Sequence, residues 1–203
     1  MTYNQELWKK RYKYRSDISS CITHFTKKSS DKNASENLIK ILNEKKIIAS
    51  KPYDAYSIGT KRAVCFQEAP PESLCQSIIF EQDNREALGN KIRYLPFGIS
   101  FSKIYCFQKG VRPVLYEKKE ISKKILPQEE YWRIVNFDLS DTNNIIDWSH
   151  EREWRCKGDF DFDYNQTMVY LPNEFCYKEF IDKIDPEILK AIKGIVVLGD
   201  IIS

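Results

Sequence analysis

The sequence predicts an α+β fold in a single domain that covers residues 1–203. Many short apolar or alternating segments, typical of strands, are interspersed with few helical ones. A chain of 203 residues with 42% hydrophobic residues has the size and apolar content for one core. We find no internal repeat and no low-complexity linker. Strands and helices without a regular alternation are typical of the α+β class.

The first half of the chain predicts both element types. Residues 1–16 are polar and aromatic, which favours a short helix or an arm, and Cys21–Thr26 alternates like a strand. Asn33 and Glu36 form a capping box for a helix that runs to about Lys46. The other predicted elements are strands at Ile47–Ala49 and Ala63–Phe66, a helix at Glu72–Phe80, and two apolar segments, Tyr94–Phe101 and Tyr105–Phe107, on either side of a turn at Ser102-Lys103.

The second half predicts more strands than helices. In Arg112–Tyr116, Pro113 stands near the strand start, where a missing N–H is tolerated. The remaining predicted elements are partial helix within 117–131, strands at Trp132–Leu139, Glu151–Cys156, Met168–Leu171 and Ile195–Gly199, and a helix over Tyr177–Ile192 that is interrupted near Asp185-Pro186.

The charge balance argues against nucleic-acid binding through the bulk field. The 32 basic and 29 acidic residues leave a net charge of +3. The basic clusters Lys9–Arg11, Lys27-Lys28 and Lys118-Lys119 are interpreted as solvated surface rather than as phosphate tracks. No apolar run approaches the roughly 20 residues that span a bilayer, and the polar N-terminus does not resemble a secretory signal. We therefore expect a cytoplasmic protein without a membrane partner.

Cofactor motifs are sparse. With 7 Gly the chain has no GxGxxG and no Walker-type loop, so a bound nucleotide would need another cradle. The 6 Cys are scattered without a C-x-x-C, and 2 His are present. A zinc site is not expected from this pattern, and the cysteines are interpreted as reduced and mostly buried.

The segment Ser149–Cys156 combines two Glu, two Arg and a Trp. Such a mixture suits the wall of a cleft in which arginines and an indole hold a carboxylate, so Glu153 is the first candidate for chemistry. On a strand, Glu151 and Glu153 would share a face and could divide base and electrostatic roles. The alternative is an exposed, ion-paired strand.

Three further sets of residues could have either a functional or a purely structural role. His24 and Thr26 lie on one face of a strand and could grip a ribose or a carboxamide, or His24 is a satisfied, half-buried histidine. Asp159, Asp161 and Asp163 alternate on one face, either as ligands of Mg²⁺ or Ca²⁺ or as charges that protect a strand edge. The candidates for a pyrophosphate contact are Arg62, Arg93 and Arg112, each of which could also be a flanking charge.

Five motifs in order resemble the DarT-type ADP-ribosyltransferases and related abortive-infection proteins of phage defence. They are His24-x-Thr26, Asn37-Leu38-Ile39-x-Ile41-Leu42, Tyr94-Leu95-Pro96-Phe97, Pro113-Val114-Leu115-Tyr116 and Glu153-Trp154. The resemblance covers roughly residues 20–160, and the late Gly-Ile-Val-Val-Leu-Gly strand also fits. It implies a strongly bent, split antiparallel or mixed β core flanked by a few helices.

The resemblance also implies a chemistry. Such enzymes cleave the nicotinamide–ribose bond of NAD, here a substrate, and pass ADP-ribose to a nucleic-acid or protein acceptor. Glu153 would be catalytic, with Arg62 or Arg93 at the pyrophosphate or the acceptor. His24 and Thr26 would bind the ribose or carboxamide, and Tyr53, Tyr56 or Tyr94 would stack on the nicotinamide. No metal is expected, and an antitoxin or another defence-system partner would fit a toxin.

The chain departs from the DarT pattern before Tyr94. The basic, proline-rich loop that helps such enzymes bind DNA is replaced by the Val64–Phe66 strand and an acidic loop at Glu81–Glu86. This places a DNA acceptor in doubt. Two alternatives to a transferase stay open: a non-catalytic nucleotide- or partner-binding module of the same fold, and a metal-dependent nuclease that uses the three Asp.

Overall fold

The structure, a computed structural model, describes residues 3–50, 61–90 and 95–201. They form a mixed arrangement of helices and mostly antiparallel strands, as the sequence predicts. Within these ranges no helix has the length and apolar composition to cross a membrane.

In chain order the α-helices are α1 (Gln5–Lys13), α2 (Ala34–Glu44), α3 (Pro71–Asp83), α4 (Lys103–Gln108), α5 (Lys119–Ile125), α6 (Glu174–Lys183) and α7 (Pro186–Ala191). The strands are β1 (Cys21–Phe25), β2 (Lys46–Ile47), β3 (Ala63–Gln67), β4 (Gly98–Ser102), β5 (Arg112–Pro113), β6 (Leu115–Glu117), β7 (Ile134–Asn136), β8 (Glu153–Lys157), β9 (Phe160–Asp161), β10 (Met168–Leu171) and β11 (Gly194–Val197). Short 3-10 helices cover Gln128–Arg133, Ser149–Glu151, Tyr164–Gln166 and Leu198–Ile201.

The chain divides into two compact units. The first comprises Met1–Lys45, Ala69–Lys103 and Phe162–Ser203, and the second comprises Lys46–Glu68 and Ile104–Asp161. The single domain over 1–203 stays a prediction.

In the first unit the strands follow the order β11-β10-β4-β1. β4 pairs antiparallel with both β1 and β10, whereas β10 and β11 are parallel. In the β1–β4 register, Ile22 lies opposite Phe101 and His24 lies opposite Ile99. The buried apolar side chains of this unit include Ile22, Leu38, Leu42, Ile99, Phe101, Val169, Leu171 and Phe180.

The predicted capping box of α2 is confirmed. The Asn33 Oδ1 accepts the Glu36 N–H at 2.9 Å, and the Glu36 carboxylate accepts the Asn33 N–H at 2.8 Å. Leu38 and Leu42, one turn apart, are fully buried, so the helix packs through one apolar face. Lys45 ends the helix in the left-handed conformation at φ 53°.

Gly98 lies opposite Phe25 in the β1–β4 register. A Cβ at this position would lie 3.0 Å from the Phe25 ring and 3.1 Å from the Thr23 methyl carbon. Phe25 in turn packs against a buried cluster of Leu74, Cys75, Tyr170 and Leu198. Glycine therefore lets the Phe25 ring lie between the strand and this cluster.

In the second unit β8 is the central strand of an antiparallel set, with β3 on one side and β5 on the other. Gln67 lies opposite Glu153, and Cys65 lies opposite Arg155. Phe66 and Phe160 meet edge to face, with ring centroids 5.3 Å apart.

The prediction of a turn at Ser102-Lys103 is wrong. β4 extends through Ser102, and α4 begins directly at Lys103, so Tyr105–Phe107 is helical. Lys103 and Cys106, three residues apart, are both buried, which is the spacing of a helix face. The burial of this face overrides the β propensity of the aromatic residues.

Candidate functional site

Glu153 is the first residue of β8 and is 8% exposed. Its backbone is held on both sides. The Glu153 N–H donates to the Tyr116 hydroxyl oxygen at 2.6 Å, and its carbonyl accepts the Val114 N–H at 3.1 Å. The start of the strand, and with it the side-chain direction, is thereby fixed.

Arg155 holds the Glu153 carboxylate. Residues two apart on a strand share a face, and here the Arg155 Nε donates to Glu153 Oε1 at 2.8 Å and Nη2 donates to Oε2 at 3.2 Å. The third guanidinium nitrogen, Nη1, donates to the carbonyls of Trp132 and Ile134 at 2.9 Å and 3.3 Å. The pair is almost entirely enclosed, with side-chain exposures of 5% and 9%.

The electrostatics keep the Arg155 guanidinium charged. Burial, the largest single effect, acts to lower its pKa, but the charge of Glu153 together with the hydrogen bond to Glu153 and the contacts with Cys65 outweighs burial, so that this pKa is raised. An ionised pair in low dielectric is maintained only where hydrogen bonds satisfy both partners, as they do here.

Cys65 borders the carboxylate from the neighbouring strand. Burial, followed by the charge of Glu153, raises the pKa of its thiol, which stays protonated and hydrogen-bonds to Glu153. Cys65 nevertheless keeps solvent-accessible surface. Cys65 is therefore exposed as a residue, whereas its thiol interacts with Glu153 and Arg155.

Tyr116 completes the surroundings of Glu153. Burial raises the pKa of the Tyr116 hydroxyl to about 12; the hydrogen bond from Glu153 N–H opposes the shift, and the Glu153 charge adds to it. The phenol is therefore neutral at physiological pH. We call Glu153, Arg155, Cys65 and Tyr116 the Glu153 cluster.

The Glu153 cluster holds a preorganised carboxylate whose charge is balanced by the guanidinium of Arg155. A fixed carboxylate in low dielectric can stabilise positive charge that develops nearby, without having to reorganise first. Because both carboxylate oxygens accept hydrogen bonds from Arg155, its chemistry would be electrostatic rather than proton transfer.

The prediction that Glu151 shares a strand face with Glu153 is wrong. Glu151 lies in a 3-10 helix, and Arg152 adopts the left-handed conformation at φ 45°. That residue breaks the alternation of period two before β8 begins. Trp154, by contrast, lies on the strand as predicted, and its indole N–H donates to Glu68 Oε2 at 2.8 Å.

His24 and Thr26 belong to the first unit, whereas Glu153 belongs to the second. His24 is half-buried on β1. Thr26 is buried just after the strand, and its hydroxyl donates to the Ala34 carbonyl at 2.8 Å, which ties β1 to the start of α2. A role of either residue toward a ribose stays a prediction.

Two of the three arginine candidates, Arg62 and Arg112, donate hydrogen bonds to backbone carbonyls. Arg62 precedes β3, at the opposite end from Gln67 and Glu153, about 16 Å away along the strand. Its Nε and Nη2 donate to the Ala49 carbonyl. Arg112 Nη1 donates to the carbonyls of Phe107 and Val111. The candidates Arg93, Tyr53, Tyr56 and Tyr94 lie outside the described residues.

The three aspartates have separate partners. Asp159 Oδ1 accepts the Ala49 N–H at 2.8 Å, Asp161 lies 3.4 Å from Lys46 Nζ, and Asp163 lies 3.6 Å from Lys45 Nζ. Phe160 and Phe162 between them are buried, in keeping with the predicted alternation. In the part of the chain that is described, no three His, Cys, Asp or Glu residues are grouped to hold a metal.

The sequence predicts that arginines of Ser149–Cys156 hold a carboxylate, and Arg155 does so, but it does not indicate Cys65 or Tyr116 as site residues. The spacing of two between Glu153 and Arg155 is a local signal that could have identified the pair. Cys65 and Tyr116 reach Glu153 only through the pairing register and the fold of β5 and β6, for which no local pattern exists.

Comparison with protein-family models, with curated proteins and with solved structures finds no match for this chain.

Proposed function

We propose that this chain is an NAD-dependent ADP-ribosyltransferase-like toxin or phage-defence effector of the bacterial cytoplasm, with Glu153 as its catalytic residue. The observation that carries the proposal is the Glu153 cluster: a buried carboxylate, held by Arg155 at the start of a late strand and followed by Trp154. This is the position at which the resembled family has its catalytic glutamate.

The reaction begins with heterolysis of the bond between ribose C1′ and the nicotinamide nitrogen. Its electron pair leaves with nicotinamide, and positive charge develops at C1′ and the ring oxygen. Glu153 stabilises this oxocarbenium-like charge. An oxygen or nitrogen of a nucleic-acid or protein acceptor then bonds to C1′ and loses its proton to solvent.

A second candidate is a non-catalytic module of the same fold that binds a nucleotide or a partner protein. The observation that favours it is the complete engagement of Glu153, whose two oxygens both accept from Arg155. In this case the pair would be a structural element, and nucleotide binding would proceed without turnover.

The first test is the release of nicotinamide from NAD by the purified chain. Glu153→Gln keeps the shape and one acceptor oxygen but removes the charge, so we expect turnover to fall at least about a hundredfold. The matched control is Glu151→Gln, the same chemical change two residues away in the 3-10 helix, which we expect to retain turnover within a few-fold.

The outcomes separate the two candidates. Binding of NAD or ADP-ribose by calorimetry, with no nicotinamide released by the wild type, supports the non-catalytic module. Equal turnover in wild type and Glu153→Gln would exclude Glu153 as the catalytic group, provided that circular dichroism shows both proteins folded.

A further inference from the structure

The N-terminal helix and its flanking residues form a basic segment. Tyr3–Asp17, which we call the α1 arm, contains five of the 32 basic and two of the 29 acidic residues. The rest of the chain has 27 residues of each sign, so the whole excess of +3 lies in the α1 arm. The α1 arm is therefore basic although the chain as a whole is nearly neutral.

The α1 arm is anchored through one side only. Trp8 and Tyr12 are half-buried and meet edge to face at 4.7 Å, and Lys103 Nζ donates to the Tyr12 hydroxyl at 3.2 Å. The other side chains of α1 are exposed, and none is fully buried. The outer side of the helix is thus available for a partner.

The exposed residues of the α1 arm include both cations and aromatic rings. Lys9 and Lys13 are one turn apart, and within the described residues neither forms an ion pair. Tyr14 is 86% exposed, and the Arg11 guanidinium lies over the Tyr3 ring at 4.3 Å from its centroid. Lys10 and Arg15 are paired with Glu6 and Asp17 at the surface, where such pairs are weak and exchange with other anions.

We propose that the α1 arm binds single-stranded nucleic acid, with its lysines at the phosphates and Tyr14 and the Tyr3–Arg11 pair stacked on bases. Basic side chains interleaved with exposed aromatic rings are the combination that such strands require. A lipid surface would need a continuous apolar stripe, which Lys10 interrupts between Leu7 and Tyr14. The core of a protein interface would be depleted of lysine. This proposal does not depend on turnover of NAD.

The test is fluorescence anisotropy with a fluorescein-labelled oligothymidylate of about 15 nucleotides, titrated between about 50 and 200 mM salt. For Lys9→Ala/Lys13→Ala we expect binding at low salt to weaken about tenfold or more, and the log–log salt slope to fall by about 1.4, since each phosphate contact contributes about 0.7. For Tyr14→Ala we expect a loss of about fivefold or more with an unchanged slope.

The matched control is Lys178→Ala/Lys190→Ala. It removes two exposed lysines from α6 and α7 and lowers the net charge by the same two units. We expect its affinity to stay within about twofold of wild type. An equal loss in both double variants, no loss in either, or tighter binding to phosphatidylserine vesicles than to the oligonucleotide would overturn the proposal. Because α1 has no buried residue, the variants should remain folded, which circular dichroism checks.

Discussion

At Glu153 the chain maintains a charge where water is nearly excluded. Removing a carboxylate from water costs several kcal/mol unless a cation and hydrogen bonds compensate. Arg155 supplies both, and its remaining nitrogen is satisfied by the Trp132 and Ile134 carbonyls. Such a pair contributes little net stability compared with an apolar pair of similar volume.

The two residues should be strongly coupled. Arg155→Met leaves Glu153 buried without its cation, and we expect a loss of about 3–5 kcal/mol in the free energy of unfolding. The double variant Glu153→Leu/Arg155→Met removes both charges and should lose far less than the sum of the two single variants. Urea unfolding of the four proteins gives the coupling energy.

Additive losses in that cycle would show that the pair is not energetically linked. The loss of the hydrogen bonds from Arg155 to the Trp132 and Ile134 carbonyls would then account for the destabilisation by Arg155→Met.

Among the elements, α1 and α2 have similar N-caps but different surroundings. Asn33 caps α2, whose Leu38 and Leu42 are fully buried, and Asn4 caps α1 by accepting the Leu7 N–H at 2.9 Å. A cap stabilises the whole fold only if its helix unfolds together with the core. The Asn33 cap is therefore expected to stabilise the whole fold, whereas the Asn4 cap is expected to stabilise only α1.

The comparison of these caps is a direct test. Asn33→Ala should lower the free energy of unfolding by about 1 kcal/mol, because the loss of the cap is felt by a packed helix. Asn4→Ala should lower it by less than about 0.3 kcal/mol and should show only as faster amide exchange near Leu7. Denaturant unfolding and hydrogen exchange measure the two effects, and equal global losses would argue that α1 is part of the cooperative core.

For the whole molecule, local patterns predicted most elements but little of the site. The capping box at Asn33, the alternation of β1 and the break at Pro186 are short-range signals, and the structure confirms them. Arg152 in the left-handed conformation has no comparable signal, so the sequence predicts that β8 begins at Glu151 rather than at Glu153. The Cys65 and Tyr116 contacts with Glu153 arise from long-range pairing, which one sequence does not specify.

Global stability should decrease in alkaline solution because of Tyr116. In the unfolded chain a tyrosine ionises near pH 10, whereas burial keeps Tyr116 protonated up to about pH 12 in the fold. Between these values the unfolded state binds fewer protons, so stability falls as pH rises, by up to roughly 2 kcal/mol for this group. Urea unfolding at pH 9, 10 and 11 measures the slope.

The matching variants isolate that contribution. Tyr116→Phe should be less stable at neutral pH, by about 1–3 kcal/mol, because the Glu153 N–H loses its acceptor. Its stability should then fall less steeply above pH 10. Tyr14→Phe, at an 86% exposed residue, should keep the wild-type slope. A slope in Tyr116→Phe equal to that of wild type would assign the alkaline loss to other groups.

The space at Gly98 also limits how freely this chain can vary. A methyl group there would crowd the Phe25 ring, which packs against the buried cluster of Leu74, Cys75, Tyr170 and Leu198. In a library randomised over this strand and selected for folded protein, position 98 should return as glycine, while the half-buried Ser102 should accept several other residues. The absence of a side chain at Gly98 thus permits the packing of Phe25 against this cluster.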